Sequence, residues 1–210
     1  MSNSVYQVGL GDDENALLPG YRWVNGPTAF LRGPVHHPLG LYEHTGVGTG
    51  MPDDMETPVF AFDLTNGSKL SDFEIGDGTR WLVSARAKQV FQAVDKNAFV
   101  FRKATTHILD NSGERAGPDY FLCDVVRFVD AVDEGRSEVR VEEAQANRQR
   151  SVLVFLGAKN VFRRSAVGDS KIFRLMFTPD TIACTETLRG GVMEAELTNV
   201  TFKLLGKLDG

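Results

Sequence analysis

Four side chains able to hold a metal ion crowd into "HHPLGLYEH": His36, His37, Glu43 and His44. Zinc sites space their ligands by a helix or a tight turn, such as two His at i and i+4. This spacing fits neither, and Pro38 and Gly40 interrupt it, so a loop is expected and no metal is assigned. "GVGTG" (46–50) has the glycine density of a phosphate loop. No predicted strand precedes it, no Lys follows in the required place, and "MPDD" puts carboxylates where phosphate would sit, so no cofactor is assigned. Cys123 and His107 could form a thiol nucleophile and its base. Cys123 lies inside an apolar run, however, where a thiol keeps its proton, and a core role is expected. Ser84 stands in "VSAR", which is not a nucleophile elbow; its expected role is to cap a helix.

The richest set of acids is in "DVVRFVDAVDEGRSEVRVEE", which carries Asp124, Asp130, Asp133, Glu134, Glu142 and Glu143. Two carboxylates can do acid–base work if one is buried with a raised pKa. Asp130 and Asp133 stand where an apolar run meets solvent, which suits a capping or solvated role, with contact to a partner as the second reading. Arg174, in "IFRLMF", should point away from Phe173 and Leu175 if that stretch is a strand. Asp130 and Asp133 are its expected carboxylate partners, in a bidentate pair that would orient the turn. No catalytic residue is assigned.

These residues need elements to hold them. The first 56 residues are punctuated by Gly and Pro, which helices do not survive, so ordered loops or short strands are expected around Tyr21, Trp23, Phe30 and Leu31. "TPVFAFDL" (57–64) alternates and predicts a strand. "RWLVSARAKQVFQAVDKN" predicts a helix with Val83, Ala87, Val90, Phe91 and Val94 on one face. Strands follow at 98–109, 120–126, 171–178 and 196–206, with a loop at 110–119 and a helical segment opened by Pro179; Phe121, Val125, Phe128, Val129 and Val132 would also make a helical stripe, so periodicity does not decide there and a strand to about Val126 is favoured. After Val126 a short turn or helix is expected, ended by Gly135, and "SEVRVEEAQ" and "RSVLVFLG" alternate. The fold class is α+β: one domain at 57–208 with a mixed or antiparallel sheet and a few helices, preceded by a loop-rich segment at 1–56 that packs on or covers it. Val90, Phe91, Tyr120, Leu122, Val125, Phe173, Leu175 and Phe202 are expected in one core.

With 210 residues the chain can bury a substantial core, and its net charge of −5 disfavours nucleic acid, which needs a basic surface. It suits a basic protein partner instead. Cys123 and Cys184 are too few and too far apart for a disulfide framework. No basic-then-apolar leader is visible at the N-terminus, and no apolar stretch approaches the roughly 18 residues that span a membrane. The expected location is the cytoplasm.

Three stretches, "RWLVSARAKQVFQAVDKNAFVFRKATTHI", "DYFLCDVVRFVDAVDEGRSEV" and "KIFRLMFTPDTIACTETLRGGVMEAELTNVTFKLL", carry a familiar texture in order. Together they resemble immunity protein family eleven of bacterial polymorphic toxin systems, over about residues 60–206. The matching positions are Ser84, Val90 and Phe91; Tyr120, Asp130, Ala131, Asp133 and Ser137; Ile172, Phe173 and Arg174; and Val200, Phe202 and Leu204. Thr198-Asn199 departs from the family, which often has Gly there. The resemblance implies an antitoxin of bacterial competition that binds and neutralises a cognate protein toxin, without catalysis. On that reading Asp133, Glu134, Glu142 and Glu143 are the first candidates for toxin contact. Tyr21, Trp23 and Tyr42, aromatics expected on loops, are the runner-up surface, and Ser84, Asp130 and Arg174 are structural. Two alternatives stay open: an enzyme whose carboxylate or His site forms only in the fold, and a scaffolding domain with no toxin partner.

Overall fold

The computed structural model describes residues 3–11, 20–25, 48, 50–76, 80–144 and 149–209. Two sheets are built on the same plan. In the first, Trp81–Ser84 (β5) runs into helix Ala85–Asp95 (α1) and returns as Phe99–Asp110 (β6), with Tyr120–Val125 (β8) inserted antiparallel between them. In the second, Thr178–Thr185 (β14) runs into helix Glu186–Glu194 (α3) and returns as Val200–Leu208 (β15), with Ser4–Leu10 (β1) inserted antiparallel between them. Gly20–Trp23 (β2), Val59–Asp63 (β3), Phe73–Ile75 (β4) and Gly113–Ala116 (β7) complete the first sheet, in the order β2-β3-β6-β8-β5-β4 with β7 beside β6. Phe128–Val129 (β9), Val161–Phe162 (β12) and Ile172–Leu175 (β13) complete the second, in the order β12-β15-β1-β14-β13-β9. Arg140–Ala144 (β10) and Gln149–Leu153 (β11) form a separate hairpin, and Arg164–Val167 (α2) is one short turn of helix.

Both long helices start where a strand ends on a hydroxyl residue in extended geometry, Ser84 and Thr185. Ser84 Oγ accepts the Ala87 N–H at 3.1 Å, which satisfies one of the unpaired donors of the first turn of α1. The helices meet between the sheets at Gly191, where a Cβ would lie 3.1 Å from the Val94 side chain. Around them Phe91, Leu188 and Val192 pack on Phe73, Trp81, Val83, Phe99, Val125, Ile172 and Ile182. A second cluster, with Phe162, Phe173, Leu175 and Leu205, fills the opposite face of the second sheet under the excursion from β9 to α2. A third, with Phe60, Phe62, Tyr120 and Leu122, fills the opposite face of the first sheet.

The α+β class is present in a strand-rich form. The expected strands at 57–64, 98–109, 120–126, 171–178 and 196–206 correspond to β3, β6, β8, β13 and β15. Several expectations are corrected. The single expected core is three clusters, because each sheet carries apolar clusters on both faces, and Val90 and Phe202 are only partly buried. Residues 81–84, read as helix, are a strand, and Val83 faces the helix instead of belonging to it. The loop at 110–119 contains β7, which folds back on β6 through Gly113, at φ 108°. The helical segment predicted from Pro179 is β14, and α3 begins only at Glu186. Arg174 pairs with Ile182 while Leu175 pairs with Thr178, so Pro179 lies in a bulge, where a strand tolerates proline. Ser4–Leu10, inside the stretch read as loop-rich, is an interior strand. Phe30 and Leu31 lie outside the described residues.

Turn residue Asn199 stands at φ 61°, left-handed backbone that Gly or Asn adopts most readily. The same turn joins the cap of α1. Asp72 accepts from Ser84 Oγ at 2.7 Å, from Thr198 N–H at 3.0 Å and from the Arg86 guanidinium. Burial opposes its charge, but these donors together hold Asp72 below the usual carboxylate range. Asp95 is held low in the same way: burial opposes, and Arg127 and the Lys171 N–H outweigh it. A depressed carboxylate adds stability that is complete above its unfolded pKa and is lost as pH falls through its folded value. Stability should therefore fall progressively below about pH 4, near the unfolded Asp value. Asp72→Asn should shallow that acid limb in urea melts across pH. Parallel limbs for wild type and variant would refute the role of Asp72. Glu74, raised by burial, contributes with the opposite sign and loses stability as pH rises through its own range.

Candidate partner-binding surface

Asp124 interrupts the apolar alternation of β8, and Arg174 interrupts that of β13; both are buried. The fold brings them together where the two sheets meet. Arg174 Nη2 lies 3.0 Å from Asp124 Oδ1, and Arg174 Nε donates to the Val125 carbonyl at 2.7 Å. Arg80 Nε stands 3.6 Å from Asp124 Oδ2, and the Gly50 N–H donates to that oxygen at 3.0 Å. Burial pushes the Asp124 carboxyl up, and Arg174, Arg80 and the Gly50 amide oppose it. Arg174 faces away from Phe173 and Leu175 as expected, but its acid is Asp124, not Asp130 or Asp133. The signal for this pair was in the sequence: a lone acid and a lone base, each inside an apolar strand, must neutralise each other on burial. The glycines of "GVGTG" that are described hold no phosphate position. Gly48, at φ 69°, leaves room for Phe128 and Arg174, which a Cβ would strike, and Gly50 caps Asp124.

Asp130 and Asp133 sit at the mouth of the excursion that follows β8. Asp130 pairs with Arg163 at 2.9 Å, and Asp133 pairs with Arg136 at 2.8 Å and closes the turn at 133–136 through the Arg136 N–H. Glu134 pairs with Arg150, and Glu142 with Arg140 at 2.7 Å. Glu143 is exposed and stands opposite Arg150 in the hairpin register. The stretch that reads as acidic is thus a mosaic of both signs. Val141 on β10, and Phe155 and Leu156 in the turn after β11, are exposed on the same excursion. Apolar side chains among paired charges are the composition of a protein interface, and sequence reasoning passed over these three.

Trp23 lies in a strand and not on a loop. Its ring packs on Phe60 at 5.0 Å and its indole N–H donates to Asn25 Oδ1 at 3.0 Å. The Tyr21 side chain, Tyr42 and the His36, His37, Glu43 and His44 set lie outside the described residues. Among the described residues no group of three or more His, Cys, Asp or Glu could hold a metal ion. Cys123 stands opposite Phe101 on β6, six residues from His107 along that strand, or about 20 Å, far beyond proton transfer. Burial also pushes both free thiols, Cys123 and Cys184, upward. The thiol–imidazole pair is therefore not formed.

The model of the Immunity protein family (Imm11) matches residues 4–207, from the first strand to the last. The chain belongs to that family. No curated protein matches it. The Imm11 match takes in β1 as well as the part that carries the sequence resemblance, in keeping with β1 being an interior strand of the second sheet. No described helix of this Imm11 chain is long and apolar enough to cross a membrane.

Proposed function

We propose that the protein is an antitoxin that binds a cognate protein toxin stoichiometrically in the cytoplasm and neutralises it without turnover. The observation that carries this reading is the Imm11 match over residues 4–207. An inhibitor needs a complementary surface and no reactive group, and the separation of Cys123 from His107 agrees with that. The proposed interface is the excursion from Asp130 to Leu156. Val141, Phe155 and Leu156 supply apolar anchors, and Asp133, Glu134, Glu142 and Glu143 supply the rim. A basic toxin matches the net charge of −5.

Co-expression with a cognate toxin, followed by pull-down and a survival assay, tests the function; killing that is equal with and without this protein refutes it. Protection at strongly substoichiometric levels would point to an enzyme instead. Rim charges act mainly on the encounter rate. Glu142→Lys with Glu143→Lys should slow association, by about tenfold at low salt, and flatten its salt dependence, with an unchanged melting curve. An unaltered association rate would move the interface elsewhere.

A further inference from the structure

The face of the first sheet that carries α1 is covered along only part of its length. Along β6, Phe99 and Phe101 pack into the cluster around α1, while Lys103, Thr105, His107 and Leu109, continuing on the same face, are exposed or half-buried. Over that uncovered part lies a cavity of about 440 Å³ lined by Arg22, Ala61, Asp63, His107, Leu109 and Glu114. Sites of this size hold small ligands, and one long side chain with its flanking backbone fits within it.

The strand register orders the lining. Asp63, Leu109 and Glu114 form one row across β3, β6 and β7; Arg22, Ala61, His107 and Ala116 form the next. With strands about 4.8 Å apart, the backbones bearing the two carboxylates are about 10 Å apart, one on each side of Leu109. Leu109 is 44% exposed, an apolar platform between two acids. Ala61, small beside His107, lines the cavity with it. Asp63 is held in place by Thr65, whose N–H and Oγ1 donate to Oδ1 at 2.9 and 2.6 Å. His107 Nδ1 lies 3.6 Å from Glu114 Oε1 on the other flank. Among the described lining residues one guanidinium, Arg22, stands with two carboxylates, Asp63 and Glu114, and the His107 imidazole lies on Glu114.

We infer that this groove is a socket for a basic side chain, arginine or lysine, presented by a partner protein. Such side chains carry an aliphatic stem that lies on apolar surface and a charged head that seeks carboxylates. The stem would lie on Leu109 and Ala61, and the head between Asp63 and Glu114. This inference rests on the proposal that the chain binds a protein, and adds a second contact away from the hairpin.

The test uses the full chain and three blocked tripeptides, Gly-Arg-Gly, Gly-Lys-Gly and Gly-Glu-Gly, followed by methyl NMR of Ala61 and Leu109. The arginine and lysine peptides should shift both methyl groups saturably. Asp63→Asn with Glu114→Gln, exposed changes that keep the Thr65 bonds, should weaken binding about tenfold. No saturable shift, or equal binding to the double variant, overturns the socket. Binding of the glutamate peptide instead would assign the groove to an anion at Arg22 and also overturn it. In a parallel pull-down, a toxin held by the double variant at full affinity would sink the socket while leaving the antitoxin reading intact.

Discussion

Asp124→Ala should lower the unfolding free energy by about 3–5 kcal/mol, the usual cost of removing one partner from a buried charge cluster. Arg174 is 1% exposed and Arg80 4%, so neither guanidinium can turn to water when the carboxylate is gone. Both would remain buried at the junction of the sheets without the Asp124 carboxylate, and the Gly50 N–H would lose that acceptor. The large effect comes from the charges left behind, since an intact buried pair adds little over apolar packing. A domain of this kind has about 5–15 kcal/mol in all, so the variant should unfold at markedly lower urea. Asp124→Asn, which keeps an oxygen for Gly50 and Arg174, should lose less. A loss below about 1 kcal/mol in Asp124→Ala would show that the cluster is solvated in solution and that Arg174 is not locked between the sheets.

Phe91→Ala is the second expected large loss, about 3–5 kcal/mol, the range for emptying a Phe site. The ring is 1% exposed, stacks on Phe99 at 5.0 Å with 7° between planes, and lies 6.2 Å from both Phe73 and Trp81. Those neighbours sit on three strands, β6, β4 and β5, so no single one can shift to close the hole. Phe91→Leu should recover most of the loss, because it leaves a much smaller void. Urea melts of the two variants measure this. If Phe91→Ala costs under about 1 kcal/mol, helix α1 does not carry the core between the sheets.

What the sequence by itself determined was local. Alternation placed β3, because a half-buried strand repeats every second residue, and β8 was read as a buried strand from an apolar run with too few polar positions to be half-exposed. Ser84 announced the start of α1, since a hydroxyl is what the free amides of a first turn need. The apolar setting of Cys123 fixed its inertness, and the motif texture from Ser84 to Leu204 pointed to the family that the Imm11 match shows. Tertiary structure decided the pairings. Arg174 found Asp124, fifty positions away, and not the nearer Asp130 or Asp133, because β8 and β13 meet at the sheet junction while Asp130 and Asp133 turn out to Arg163 and Arg136. The acid-rich run became a mosaic because its arginine partners, Arg150 and Arg163 among them, arrive from β11 and the start of α2. "SVYQVGL" became an interior strand only because β14 and β15 leave a gap between them, joined as they are by α3. A chain's short-range pattern sets what each segment can become, but burial beside distant segments sets which charges meet, and charges that meet are where this protein's surface is made.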